Sequence, residues 1–428
     1  MHVLPLITLV AASIPRTTAA APTPADTALR FDINLSRPIR TTEHVGTLSR
    51  LASQASDGEL CLDALCKGND HSYLYADLYV GGSKTPTKVI LDTGSSDTWV
   101  TGSTCHSSVQ DAKDGACEPN EAGSVTVTPT KFNSTGKTAK TIYGQRDKIS
   151  VDYAIYKTSI KFGSAEVSNF PVGVVYQMSG EVTVRGVLGL GFNSLSKIEQ
   201  AFKGAENANF LDALKVSRFG IYVSPSDPTK GQVNFGYFND KKYGVPGREL
   251  QWFPVIPVNG QYGHWIIDSS QMIISTIDYT RTERFLSYTS ESKVVQGKTL
   301  VDSGSPLLTF TGNAADVING WYNATYIEKL NQYRIPCEGG RSLILSLTIK
   351  SGEPRVEYTI PYSSLVSKLD SGECYSLIMN GAEDLGMSCF GSPFHQAAYI
   401  AHDKASKTVG FIPLNPKLMA STKSFWSF

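Results

Sequence analysis

Past its first residues the chain has no run of the ~18 consecutive apolar residues that a membrane-crossing helix needs. Its last stretch, Ser421 to Phe428, also lacks the long hydrophobic tail of a lipid-anchor signal. No membrane anchor is expected. Charge is scarce and balanced: 39 Lys+Arg stand against 39 Asp+Glu, and charged residues make up only 18% of the 428. A nucleic-acid partner or an acidic-scaffold role would require a strong bias of one sign, so both are excluded. Cys-x-x-Cys and metal-spaced histidine pairs are missing, which removes the usual zinc sites. So are Gly-x-Ser-x-Gly and His-Glu-x-x-His, which removes the commonest serine-hydrolase and zinc-protease routes. No metal and no other cofactor is expected.

What is there points outward from the cell. Hydrophobic residues at 41% suffice for sizeable cores, and the length allows two to three ordinary domains or one large two-lobed enzyme. Val3 to Ala12 is a short apolar run followed by Ala19-Ala20-Ala21, so residues 1–21 read as a secretory signal peptide. Residues 22–60, at first rich in Pro, Ala and Thr, read as a pro-segment or linker. Seven cysteines suit an oxidising compartment. Pairing by proximity gives Cys61–Cys66, Cys105–Cys117 and Cys337–Cys374, with Cys389 left as a free thiol; other pairings stay open. Asn34, Asn133 and Asn323 open Asn-x-Ser/Thr sequons, usable for glycosylation in the secretory pathway. The expected location is secreted and extracellular, with an acidic vacuole- or lysosome-like compartment as the alternative.

From Ser72 onward strands dominate. Leu74, Ala76, Leu78 and Val80 alternate with polar or aromatic neighbours, Gly81-Gly82-Ser83 turns the chain, and Lys88 to Leu91 follows as a second strand. Ile149 to Ile155 alternates again, and Phe170 to Tyr176 reads as a buried strand. Helical spacing is confined to Leu195–Phe202, Phe210–Val216 and Ala314–Tyr322. The chain also repeats itself. Asp92-Thr-Gly-Ser-Ser follows one apolar strand, and Asp302-Ser-Gly-Ser-Pro follows another. Each is followed at a similar interval by an apolar-Gly element, Val187-Leu188-Gly189 and Cys389-Phe390-Gly391. Two lobes built on one plan are expected, at 61–250 and 251–416, with a tail at 417–428.

These motifs, in this order, resemble a pepsin-like aspartic protease over roughly Ser72 to Pro413. Val89-Ile-Leu-Asp92-Thr-Gly-Ser-Ser-Asp-Thr-Trp99 resembles the first active-site loop of that family, and Ile142-Tyr143-Gly144 resembles its flap. Gly186-Val-Leu-Gly-Leu-Gly191 resembles the segment threaded beneath the first loop, and Leu250-Gln-Trp-Phe-Pro-Val the crossing between lobes. Leu300-Val-Asp302-Ser-Gly-Ser resembles the second active-site loop, and Phe390-Gly391 with Thr408-Val-Gly-Phe-Ile the final strands. One Asp-Thr-Gly is an ordinary turn; two with four ordered companions are specific. The resemblance implies a mostly β, bilobal fold with pseudo-twofold lobes and a cleft between them. It implies a monomer that acts on protein or peptide substrates.

The chemistry fits the residue types. Two carboxyls within hydrogen-bond reach share one proton, so one can activate a water while the other protonates the scissile carbonyl. Asp92 and Asp302 are the expected catalytic pair, and their titration belongs to the pair. Gly94 and Gly304 leave room for tight loops. The resemblance implies that Thr93 and Ser303 brace the loops and that Ser95 and Ser305 hydrogen-bond the outer carboxyl oxygens. It also makes Tyr143 and Gly144 the flap, with Trp99 behind it. The departures are Pro306 in place of a hydroxyl residue, a flap continuing Gln145-Arg146-Asp147, Ser392 in place of Asp, and Cys389 in place of an aliphatic residue. Arg146 and Asp147 are expected either to bias substrate choice or to face water. Cys389 reads as a buried thiol that is no nucleophile, and His264, His395 and His402 as structural or exposed. The reading is a secreted aspartic endopeptidase made as a zymogen. The alternative is a catalytically inactive relative that binds or inhibits, with a structural β-protein more remote.

Overall fold

Alternating burial along Tyr75–Val80 puts one face of the strand into the core, and the turn that follows returns the chain as Thr87–Asp92, antiparallel to it. Gly81 and Gly82 adopt φ of +62° and +64°, and a Cβ on Gly81 would fall 2.6 Å from the Phe132 ring. A turn this tight against an aromatic core therefore requires glycine. The computed structural model describes residues 31–36, 74–107, 117, 123–143, 149–179, 184–202, 207–225, 230–270, 272–276, 291–348, 355–369, 371–381 and 386–419. The short segments read as helical from spacing form helices Lys197–Ala201, Phe210–Ala213 and Ala314–Trp321. Strands make up most of the rest. No helix among the described residues is long and apolar enough to cross a membrane.

The internal repeat is visible in strand pairing. In the first half, Gly186–Gly189 lies between Thr87–Asp92, to which it is parallel, and Thr98–Ser107, to which it is antiparallel. In the second half, Met387–Phe390 lies in the same way between Lys298–Val301 and Leu308–Phe310. Each half thus runs a strand up to an aspartate, ending at Asp92 in the first half and one residue before Asp302 in the second. Beside it is held a strand that contains or leads into a glycine, Gly189 or Gly391. The fold is mostly β and bilobal.

The halves are joined by a shared sheet. Lys230–Phe235, Arg218–Val223, Ala398–Asp403, Thr408–Pro413 and Gln251–Pro254 pair in that order, so two strands of the first half continue directly into three of the second. Gln251–Pro254 begins where the lobe boundary is read from sequence. Phe31–Ser36 adds a further strand, antiparallel to Lys230–Phe235 over six residue pairs. A segment read as pro-segment or linker therefore supplies sheet. Cys105 pairs with Cys117 and Cys337 with Cys374, leaving Cys389 free. Cys61, Cys66 and the signal-peptide stretch lie outside the described residues.

Candidate active site

The two Asp-x-Gly turns meet at the seam between the halves. The Gly94 amide donates to Asp92 Oδ1 at 2.8 Å and the Gly304 amide to Asp302 Oδ1 at 2.9 Å. Both glycines are required by closeness: a Cβ on Gly94 would lie 2.6 Å from either carboxyl oxygen of Asp302, and one on Gly304 would lie 2.3 Å from Asp92 Oδ1. The two carboxyls hydrogen-bond one another. Thr93 Oγ1 donates to the Val301 carbonyl at 3.0 Å and accepts from the Ser303 amide at 2.9 Å. Ser303 Oγ returns the arrangement, donating to the Leu91 carbonyl at 2.7 Å and accepting from the Thr93 amide at 3.1 Å. Serine lacks only the methyl of threonine, so both halves of the brace form.

Behind each turn a glycine passes under the loop. The Leu190 amide donates to the Asp92 carbonyl at 2.8 Å and the Gly191 amide to the Ser95 carbonyl at 2.7 Å. In the other half the Asp302 amide donates to the Phe390 carbonyl at 3.1 Å and the Ser392 amide to the Ser305 carbonyl at 2.8 Å. A Cβ on Gly189 would meet Ser96 backbone at 2.4 Å, and one on Gly391 would meet the Leu307 carbonyl at 2.1 Å. These contacts explain the apolar-Gly repeat.

Burial, then the charge of Asp92, holds the Asp302 carboxyl well above the usual carboxylate range. Trp99, fully buried, donates its indole N–H to the Tyr143 hydroxyl at 2.6 Å. Tyr143 also interacts with Ser95, whose hydroxyl donates to Asp92 Oδ2. Burial and the Asp92 charge keep the Tyr143 phenol protonated by raising it. Indole, phenol, hydroxyl and carboxyl thus form one hydrogen-bonded line. Gly144, Arg146 and Asp147 lie outside the described residues.

Some neighbours of the site escaped the sequence reading. Asp97, in the same motif as Asp92, is buried and accepts from the Tyr153 hydroxyl at 2.9 Å, the Lys197 amide at 2.8 Å and the Ser196 hydroxyl. It pins the start of helix Lys197–Ala201 to the first loop. Desolvation nevertheless raises its carboxyl. Its place in the motif shortly after Asp92 was the available signal, but its partners are 56 to 100 positions away. His264, set aside as structural or exposed, approaches Gly94 and feels the charge of Asp92, while burial lowers its imidazole. Cys389 lies beside Ser305 and Asp302; burial first, then the carboxyl charge, raises its thiol. A protonated thiol is a poor nucleophile. His395 and His402 are fully buried. No group of three or more potential metal ligands occurs among the described residues. Asn133 and Asn323 are exposed, while Asn34 lies in the strand Phe31–Ser36.

The model of the eukaryotic aspartyl protease family matches residues 72–414. The chain belongs to that family. Its relatives include a probable aspartic-type endopeptidase, opsB, of Aspergillus oryzae, 24% identical over 80% of this chain and 68% of the relative. Secreted aspartic protease 10 of Candida albicans is 23% identical over 81% and 72%, and rhizopuspepsin-2 of Rhizopus niveus 24% identical over 86% and 85%. The crystal structure of an aspartic proteinase from Irpex lacteus superposes with a TM-score of 0.57 at 17% identity, over 83% of this chain and 97% of that one, which bears on fold alone. This aspartic-type endopeptidase is therefore a hydrolase acting on protein substrates.

Proposed function

We propose that this aspartic protease is a secreted acid endopeptidase, made with a removable N-terminal segment, that hydrolyses peptide bonds through Asp92 and Asp302. The observation that carries the reading is the pair of carboxyls facing one another across glycines that no larger residue could replace. A water between them loses a proton to the ionised carboxylate as its oxygen attacks the scissile carbonyl. The protonated carboxyl gives its proton to the carbonyl oxygen, and the resulting gem-diol collapses once the amine nitrogen is protonated. A buried pair shares one proton over a range of acid pH because burial and mutual charge oppose double ionisation. Tyr143, held by Trp99, would close over a bound peptide.

Secretion is supported by the apolar N-terminal run, two disulfides, exposed sequon asparagines and the name of the Candida albicans relative, a secreted aspartic protease. The test is cleavage of denatured globin at several acid pH values. Asp92→Asn and Asp302→Asn should each lower kcat by roughly 10³-fold with the fold retained, and a hydroxyl-bearing transition-state mimic of the pepstatin kind should inhibit. Undiminished cleavage by Asp92→Asn would sink the mechanism. One observation favours the inactive alternative: Ser305 makes no hydrogen bond to Asp302. Tight binding of the mimic with no turnover by the wild type at any acid pH would decide for it.

A further inference from the structure

The chain carries three Asn-x-Ser/Thr sequons, and the fold gives one of them a setting of its own. Asn133 opens the strand Asn133–Tyr143 at a sheet edge, opposite Lys157. Asn323 stands instead at the mouth of a groove in the second half. Helix Ala314–Trp321 ends just before it, and the Asn323 backbone amide donates to the Gly320 carbonyl at 3.0 Å. The residue turns the chain with φ of +54°, a left-handed conformation that asparagine tolerates, and it is exposed. The strand Thr325–Ile327 follows and pairs with Gln332–Arg334, so the sequon threonine lies directly opposite Arg334. The Ile335 amide then donates to the Cys374 carbonyl at 2.9 Å, beside the Cys337–Cys374 bridge.

These segments enclose a cavity of about 600 Å³, lined in part by Asn323, Thr325, Arg334, Pro336 and Glu373. That volume is in the range of small-molecule sites. Its lining is divided between carbon, from Pro336 and the buried Ile335, and the charges of Arg334 and Glu373, which lie 3.4 Å apart. As an exposed ion pair they contribute little, but their donors and acceptors stay open to another polar group. An amide-linked N-acetylglucosamine is divided in the same way, with apolar ring faces, an acetamide and hydroxyls. Building on the reading of the protein as secreted, we propose that Asn323 carries an N-linked glycan whose first sugars lie in this groove. They pack on Pro336 and Ile335 and hydrogen-bond to Arg334 and Glu373. Attachment forms a bond from Asn323 Nδ2 to the anomeric carbon of a lipid-diphosphate-linked oligosaccharide. It breaks that carbon's bond to the diphosphate oxygen, and the amide proton and lipid diphosphate leave. The tether decides the occupant. A free sugar would bear the full entropy loss of association, whereas one bonded to Asn323 is held at the mouth, where a few weak contacts suffice. Seated there, the sugars cover Cys337, the exposed end of a bridge whose other end, Cys374, is buried.

The experiment uses the full chain expressed for secretion in a eukaryotic host, as wild type, Arg334→Ala and Asn323→Gln. Native protein is treated with peptide N-glycosidase, and release at Asn323 is followed by peptide mass spectrometry as conversion of Asn to Asp. Release from wild type should be roughly tenfold slower than from Arg334→Ala, the size of one net hydrogen bond that must open first. After denaturation the two should react alike, and any glycan at Asn133 should leave at one rate from both native proteins. Dithiothreitol should reduce Cys337–Cys374 several-fold faster in native Asn323→Gln than in wild type. Equal native release from wild type and Arg334→Ala, or a secreted protein with Asn323 unmodified, would overturn the proposal while leaving secretion intact. A chain that never reaches the medium would overturn the secretion reading and the glycan with it.

Discussion

Thr93→Val tests whether the reciprocal brace holds the two halves in register. Valine has nearly the shape of threonine, so the packing at this fully buried position stays close to unchanged. The change removes a donor from the Val301 carbonyl and an acceptor from the Ser303 amide, both across the seam. Each buried main-chain group left without that partner costs about 1–3 kcal/mol, so the expected loss is about 2–4 kcal/mol. Thr101→Val is the matched control. Thr101 is equally buried, but its hydroxyl makes one bond, to the Arg185 carbonyl at 2.7 Å, which also accepts the Thr101 amide at 2.8 Å. That loss should be about 1 kcal/mol. Urea unfolding followed by near-ultraviolet circular dichroism gives stability, and kcat gives the position of the aspartates. A loop displaced by a fraction of an ångström should lower kcat by about tenfold in Thr93→Val, with little change in Thr101→Val. Equal destabilisation and equal kcat in the two variants would refute the claim that the brace joins the lobes.

Trp99→Phe and Tyr143→Phe should each reduce kcat/KM by roughly tenfold. Because both break one hydrogen-bonded line, the double variant should lose little more than either alone; additive losses in a double-mutant cycle would argue against a shared line. Acid should weaken the fold through its buried histidines. His402 has both ring nitrogens without partners and stacks on Phe219 at 4.4 Å, edge-on to Trp265, and His395 adds to the burial that lowers its imidazole. Burial lowers His395 to about 4. Since the native state refuses protons that the unfolded chain accepts, stability is lost as pH falls from about 6.5 toward 4. Asp97 and Asp302, raised by burial, work in the opposite sense. His402→Phe should keep the stack and show a smaller drop in Tm between pH 7 and pH 4 than wild type; an unchanged drop would contradict the assignment. Removing the Cys337–Cys374 bridge, whose sequence separation is 37, should lower stability by about 4 kcal/mol on loop-closure grounds. Urea midpoints of the Cys337→Ser/Cys374→Ser protein check it, and a change under 1 kcal/mol would go against it.

By itself the sequence determined what depends on near neighbours. Period-two alternation specified strands such as Tyr75–Val80 and Ile149–Phe162, because successive side chains of a strand face opposite sides. Three short apolar spacings specified three short helices, and proximity sufficed for Cys105–Cys117 and Cys337–Cys374. The duplicated Asp-x-Gly turns disclosed both aspartates, since only glycine fits where two loops touch. The alternation of Phe31, Ile33 and Leu35 was also readable, yet six residues in a weakly patterned stretch do not say which strand will accept them. Only the tertiary structure supplied Lys230–Phe235 as that partner. It alone joined Asp97 to Tyr153 and Ser196, brought His264 to one aspartate and Cys389 to the other, and buried His395 and His402. A side chain's residue type fixes what it can donate or accept; which of its possible partners it meets is decided by chain segments far away in sequence, and those distances close only in the fold.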